Sequence, residues 1–266
     1  MMAGEENRQL EPSLEELRRH NELLRSELEW ARSESAMAWM LFVEISRRLQ
    51  VSTASIKAAV SSLLNHDLFW DPANQHEFLE TIDASVDRVS RLVRLLALAF
   101  RAEAGSLELK HELHSLHEIL AVVQENMVVK DSNLTLWFSL PTDGKPILVD
   151  YEYLTNALGY LVEFLTAGPS AARLQIRASE NAKDWFLDIE GIEETNLDLV
   201  QTLQYRKTDQ AVFARYPLQP DLILGLQVAC DIFHLQQIDL AKVASSLGEP
   251  VLRLTVPAGE NTPAQL

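Results

Sequence analysis

The chain has 266 residues, too many for one small core and suited to one large domain or two modest ones. Hydrophobic residues make up 47% and charged residues 23%, the balance of a folded globular protein, and only 9 Gly and 10 Pro leave little room for long disordered linkers. With 23 Lys and Arg against 39 Asp and Glu the net charge is −16, which repels phosphate backbones and anionic lipid, so neither nucleic acid nor a membrane surface is expected as a partner.

The single cysteine, Cys230, excludes a disulfide framework or a cysteine metal site within one chain. The first residues lack the basic start and apolar run of a secretory signal. The nearest approach to a membrane-spanning run, around Ala36 to Ile45, is broken by Glu44 and followed by Arg47. The expectation is a cytoplasmic protein.

In chain order, the first signal is a stripe of alternating three- and four-residue spacings: Leu10, Leu14, Leu17, Asn21, Leu24, Leu28, Ala31, Ser35, Ala38, Phe42, Ile45, Leu49, Ser52, Ile56, Ala59 and Leu63. That is the a/d seam of a coiled coil, and its length predicts a partner helix, most simply a second copy of the chain. The seam residues for such a dimer are Leu24, Leu28, Phe42, Ile45, Leu49 and Ile56. Asn21, at an a position, would fix register and favour two parallel strands; the plainer reading places it near a frayed end. The helix should end near Asn65. Asp71 as N-cap and Pro72 at the first helical position then start a second helix with Phe78, Ile82, Ser85, Val89, Leu92, Leu96 and Ala99 on one face. Two antiparallel helices make a hairpin, and two hairpins make a four-helix bundle.

After Gly105 the pattern changes. Leu107 to His111 reads as a short extended segment, and Ser115 to Met127 as a helix whose Ser115 and Glu118 form a capping box. Leu134 to Leu140 alternates as a strand, and Ile147 to Val149 is a short strand. Asp150 caps a helix reaching about Leu165. Arg173 to Ala178 and Trp185 to Ile189 are strands, Leu222 to Leu235 a helix, and Ile238 to Val243 and Val251 to Val256 the closing strands. The fold class expected is α+β: an N-terminal coiled-coil segment over residues 1–35, a dimerisation hairpin over 36–105, and an α/β sandwich with helices on one face over 106–266.

Three segments carry a family resemblance: Arg101-Ala-Glu-Ala-Gly105-Ser-Leu-Glu-Leu109 at the hairpin exit, Ile147-Leu-Val-Asp150-Tyr-Glu-Tyr153-Leu154 at a helix entry, and Glu249-Pro-Val-Leu-Arg-Leu-Thr-Val-Pro257 at the last strand. In that order they resemble the bacterial two-component histidine kinases. This family joins a phosphoacceptor hairpin to the ATP-binding sandwich shared with the gyrase, chaperone and mismatch-repair ATPases. The resemblance covers residues 36 to 257.

The departures fall on the chemistry. A working member carries Ser-His-Glu-Leu-Arg-Thr-Pro-Leu where this chain has Ser46-Arg47-Arg48-Leu49-Gln50-Val51-Ser52-Thr53. Arg47 takes the phosphoacceptor position, and a guanidinium has no lone pair with which to attack phosphorus. Arg48 replaces the neighbouring base, and Val51 the residue that orients water in members with phosphatase activity. Tyr160 and Phe164 stand where the family places two Asn side chains for magnesium and phosphate; they are expected to fill that pocket or the core. The adenine loop is reduced to Glu190-Gly191-Ile192. The second glycine-rich stretch is reduced to Leu222-Ile-Leu-Gly225-Leu226 before its helix, so backbone N–H groups cannot approach phosphates there. The lid is expected between Gln201 and Pro220, with Arg206, Lys207 and Arg215 but no Gly.

The resemblance, with these losses, implies a pseudo-histidine kinase: a parallel homodimer without ATP, magnesium or other cofactor, binding a response-regulator receiver domain or an active kinase. Arg47 and Arg48 are either a solvated face or a contact for such an acidic partner. Two alternatives are a divergent active kinase with ATP, magnesium and a relocated phosphoacceptor, drawn from His66, His76, His111, His114, His117 or His234, and a phosphotransfer protein on the same fold. The spacing of His111, His114 and His117 invites a metal, but no acidic or Cys partner completes a ligand set, and no metal is expected. Cys230, on an apolar helix face, reads as core.

Overall fold

The computed structural model describes residues 19–20, 42–64, 72–130, 135–139, 141, 144–167, 173–181, 183–204, 220–245 and 248–259. Asn21, Leu24, Leu28, His66 and Asp71 lie outside them, as do Arg206, Lys207 and Arg215.

Residues 42–64 form helix α1, and Pro72–Glu103 form α2. The two run antiparallel, because Ile45 and Leu49, early in α1, pack with Leu92, Leu95, Leu96 and Ala99, late in α2. The d positions of the α1 seam, Ile45, Ser52 and Ala59, are buried within the single chain. The a position Phe42 stays 44% exposed. Of the seam expected to face a second copy, Ile45 and Leu49 are thus packed against the chain's own α2. Burial of Leu92 and Leu95 stabilises this contact by roughly 2 kcal/mol each.

The chain leaves α2 through Gly105, whose φ of 60° ends the helix in a left-handed residue. Strand β1 is Glu112–His114, later than the extended segment read at Leu107 to His111. Its place is set by antiparallel pairing with β3, Ile147–Val149. The Lys110 N–H is already spent on the Asp150 carboxylate at 2.8 Å. Helix α3 is Leu116–Lys130, β2 Thr135–Ser139 and α4 Tyr151–Leu165. Strands β4 and β5 are Arg173–Glu180 and Asp184–Glu190. Helix α5 is Glu194–Gln204, α6 Pro220–Leu235, and the last strands are β6 Asp239–Ala244 and β7 Pro250–Pro257.

The main sheet has the order β2-β4-β5-β7-β6, antiparallel except where β2 lies parallel to β4. Along β5, Trp185, Leu187 and Ile189 are buried on the helix-bearing face while Phe186, Asp188 and Glu190 face outward, the period-2 pattern of a half-covered sheet. The core between sheet and helices gathers Ile119, Leu120, Leu154, Leu161, Phe164, Leu187, Val228, Phe233 and Leu254. This is the α+β architecture expected: a helical hairpin followed by an α/β sandwich. Among the described residues no helix is long and apolar enough to cross a membrane.

The lid expected between Gln201 and Pro220 is bounded by helices at both ends, and residues 205–219 lie outside the described residues. Helix α5 occupies Gln201 to Gln204, where the lid was expected to begin, and Pro220 already starts α6. The apolar side of α5 explains its helical state: Leu197, Leu199 and Val200 are fully buried and pack into the sandwich core.

Candidate functional site

Of the residues singled out in the sequence, Arg48, Tyr160 and Gly225 lie where α1 and α2 meet α4 and α6. Arg47 projects outward from α1, with a side chain 60% exposed. Its guanidinium donates to Glu44 through Nε at 2.8 Å and through Nη2, one turn away on the same helix. This two-pronged bond holds the Glu44 carboxylate below its usual pKa range. Arg47 therefore presents a paired, partly neutralised charge. Val51, one turn on, is exposed.

Arg48 does something else. The sequence leaves it, with Arg47, either on a solvated face or against an acidic partner; its side chain is 25% exposed. It turns toward α6, where Nη1 lies 3.3 Å from Asp221 Oδ1, in the first turn of that helix. The Arg pair is divided: one faces solvent, the other faces the sandwich. Nε of Arg48 is 3.6 Å from Glu44 Oε1. Arg48 Nε and Asp221 Oδ1 are both buried with no well-formed hydrogen bond.

On α4, Asp150 caps the helix as its sequence position indicates, accepting from the Tyr153 N–H at 3.0 Å. The Asp150 N–H in turn donates to the buried Gln236 at 2.8 Å, at the far end of α6. This node fixes α4 against α6, and the positions at issue follow. Phe164 is fully buried in the sandwich core. Tyr160 is half-buried, packed against both the sandwich core and the α1–α2 cluster. Burial pushes its hydroxyl above the usual range, with Arg91 and Arg94 pulling the other way.

Gly225 lies inside α6, within the helix expected over Leu222 to Leu235 and not in a loop before it, so no loop exists there to wrap a phosphate. Its small size serves packing: a Cβ at this position would sit 3.6 Å from Tyr160 Cβ, so α4 and α6 approach closely. Gly191 does keep a left-handed φ of 83° after β5, and Glu190 before it pairs with Arg177 at 3.2 Å across the outer face of the sheet.

His111, His114 and His117 fall in a loop, in β1 and in α3, and His114 packs against Tyr151 with ring centroids 5.1 Å apart and planes tilted by 49°. No three His, Cys, Asp or Glu side chains among the described residues gather as a metal site would need. Cys230 is buried, which pushes its thiol up to about 12. Sequence reasoning missed Asp221, Arg91 and Glu163. Pro220-Asp221 before an apolar run is a helix-start signal two residues ahead of the start expected at Leu222. A groove of about 340 Å³ between α3 and α4, lined by Asn126, Met127, Asn156, Gly159 and Tyr160, was likewise not foreseen.

No protein-family model matches the sequence, and no curated protein matches it. Solved structures do resemble it. Acinetobacter baumannii histidine kinase AdeS superposes with a TM-score of 0.54 at 16% identity, over 79% of this chain and 97% of that one. Histidine kinase ThkA, solved in complex with response regulator protein TrrA, gives 0.53 at 14% identity, over 88% of this chain and 66% of that one. Full-length ShkA in complex with AMPPNP gives 0.50 at 12% identity, over 80% of this chain and 45% of that one. The chain has the histidine-kinase core fold.

Proposed function

We propose that this chain uses the histidine-kinase core fold as a catalytically impaired signalling protein, a parallel homodimer that scaffolds or regulates a two-component pathway through protein contacts. The observation that carries this reading is Phe164. A fully buried phenyl ring takes the position of a metal-binding Asn, offers no oxygen to Mg²⁺ and is committed to the core. Arg47 at the acceptor position supports the same reading, because a protonated guanidinium cannot accept a phosphoryl group. The placement of Gly225 within a helix supports it again.

The partners proposed are a response-regulator receiver domain or an active histidine kinase. The ThkA structure, a complex with a response regulator, supports the first. The outward Arg47 offers such a partner a cation whose present bond to Glu44 is local and exchangeable. Homodimerisation is supported by a feature of α2 outside the face read from sequence. Leu79, Val86, Val93 and Phe100 recur every seven residues and are all exposed in the single chain. A stripe of this kind is a helix-pairing seam without its partner.

The test is calorimetric titration of the purified protein with Mg-ATP and Mg-ADP. No binding up to about 1 mM, some 4 kcal/mol of affinity, is the expected result. Micromolar binding would overturn the reading and favour a divergent kinase with a relocated phosphoacceptor.

A further inference from the structure

The groove between α3 and α4 has no part in the signalling role proposed for the chain. Its volume of about 340 Å³ lies at the lower end of the range that holds small ligands. The floor is apolar: Val123 and Met127 of α3 are buried there, and Gly159 of α4 lies beside Met127. The rim is polar, with Asn126 of α3 and Asn156 of α4 on its two sides, both exposed.

Gly159 is out of place on packing grounds. Inside a helix, glycine costs stability relative to alanine, because its unfolded backbone has more freedom to lose. The surroundings do not demand it: an added Cβ would meet Met127 Cε at 3.6 Å, an ordinary contact. The missing side chain leaves the floor of the groove open next to a flexible thioether that adapts to what enters. The rim sets the chemistry. A carboxamide donates and accepts together, and among the described residues neither Asn126 nor Asn156 has a hydrogen-bond partner for its side chain. Thr155, also at the rim, spends its hydroxyl proton on the Tyr151 carbonyl at 2.7 Å and keeps only acceptor capacity. Glu125 adds a carboxylate, and among the described residues no Lys or Arg lines the groove. Such a set matches an amide, which gives one N–H and takes another, and it repels anions.

We propose that the α3–α4 groove binds a small amide-bearing ligand, uncharged or carrying an amine. The amide lies between Asn126 and Asn156, the apolar part rests on Val123, Met127 and Gly159, and a cationic end meets Glu125. The groove opens on the α3 side of α4, whereas α6 packs on another side, where Gly225 meets Tyr160. The site is therefore independent of whether nucleotide binds, and titration with Mg-ATP does not test it.

The experiment is ligand-detected NMR on the full chain with N-acetyl-lysine N-methylamide and N-acetylglycine N-methylamide, and with acetate and inorganic phosphate as anion controls. Both amides are expected to bind saturably with Kd of about 1 mM or below, and the anions not at all. The lysine amide is expected to bind about threefold more tightly, and Glu125→Gln to erase that preference. Gly159→Leu fills the floor and is expected to weaken both amides by about tenfold or more, with thermal melting as the check that the variant folds. Should it not fold, Asn126→Ala combined with Asn156→Ala carries the test with the same expected loss, since both side chains are exposed and outside the core. Amides that fail to saturate below about 10 mM overturn the site. So does binding that survives both the filled floor and the stripped rim, and so do anions that bind as well as the amides.

Discussion

Asp150 is a small residue with several obligations. Its side chain accepts from the Tyr153 and Lys110 N–H groups, and its own N–H is held by Gln236. Asp150→Ala leaves two N–H donors orphaned and is expected to cost about 2 kcal/mol, read as a shift in the denaturation midpoint at constant slope. The cap itself was legible in sequence, since an Asp before an amphipathic run has one common use. Its bonds to Lys110 and Gln236 were not, because they depend on how distant segments pack. Cys230 makes a different prediction. Its thiol titrates near 9 when exposed and is pushed up to about 12 in the fold, so the folded state favours the protonated form. The stabilisation is complete below the lower value and is lost as pH rises through the interval. Cys230→Ala should therefore flatten the decline in melting temperature between about pH 9 and pH 11. An unaltered alkaline profile would show that the thiol is not responsible.

Helix α6 shows how a local rule can mislead about an element. Its Gly225 reads in sequence as a remnant of a ligand loop, whereas the helix continues through it and α4 closes on the space where a side chain would be. The geometry separates the two uses. A Cβ there would find Tyr160 at ordinary contact distance, so Gly225→Ala is expected to raise stability by about 0.5–1 kcal/mol through helix propensity. Gly225→Leu is expected to lower it by roughly 1–3 kcal/mol through overpacking. Thermal melts of the two variants moving in the same direction would contradict this account. Helix α5 is the reverse case. Leu197, Leu199 and Val200 give it a buried side, a periodicity hidden behind the lid that the resemblance implies for the segment's end. The strands and α4 were readable because alternation and capping are local; the pairing of Arg48 with Asp221 was not, because it depends on α6, far along the chain.

At the scale of the whole molecule the proposed homodimer rests on the two faces of α2. One face is spent on α1 and α6, and the other carries Leu79, Val86, Val93 and Phe100. Val86→Glu combined with Val93→Glu puts charge into that stripe without touching the sandwich core. The pair is expected to halve the mass measured by light scattering while leaving the melting of the sandwich in place. A wild-type chain already monomeric at about 10 μM, or a double variant of unchanged mass, would remove the dimer from the proposal.

The length of α2 has a mechanical side. Its 32 residues span about 48 Å as one unbroken rod, and the rod belongs to both halves of the molecule: Leu95 and Ala99 abut Leu224, while Phe100 shares the stripe with Leu79 far below. A rod held at two places transmits torque. If Leu79 and Val86 meet a neighbouring chain as proposed, a roll imposed there is carried along the same rod to Leu95 and Ala99 beside α6, and to Arg91, which pairs with Glu163 of α4.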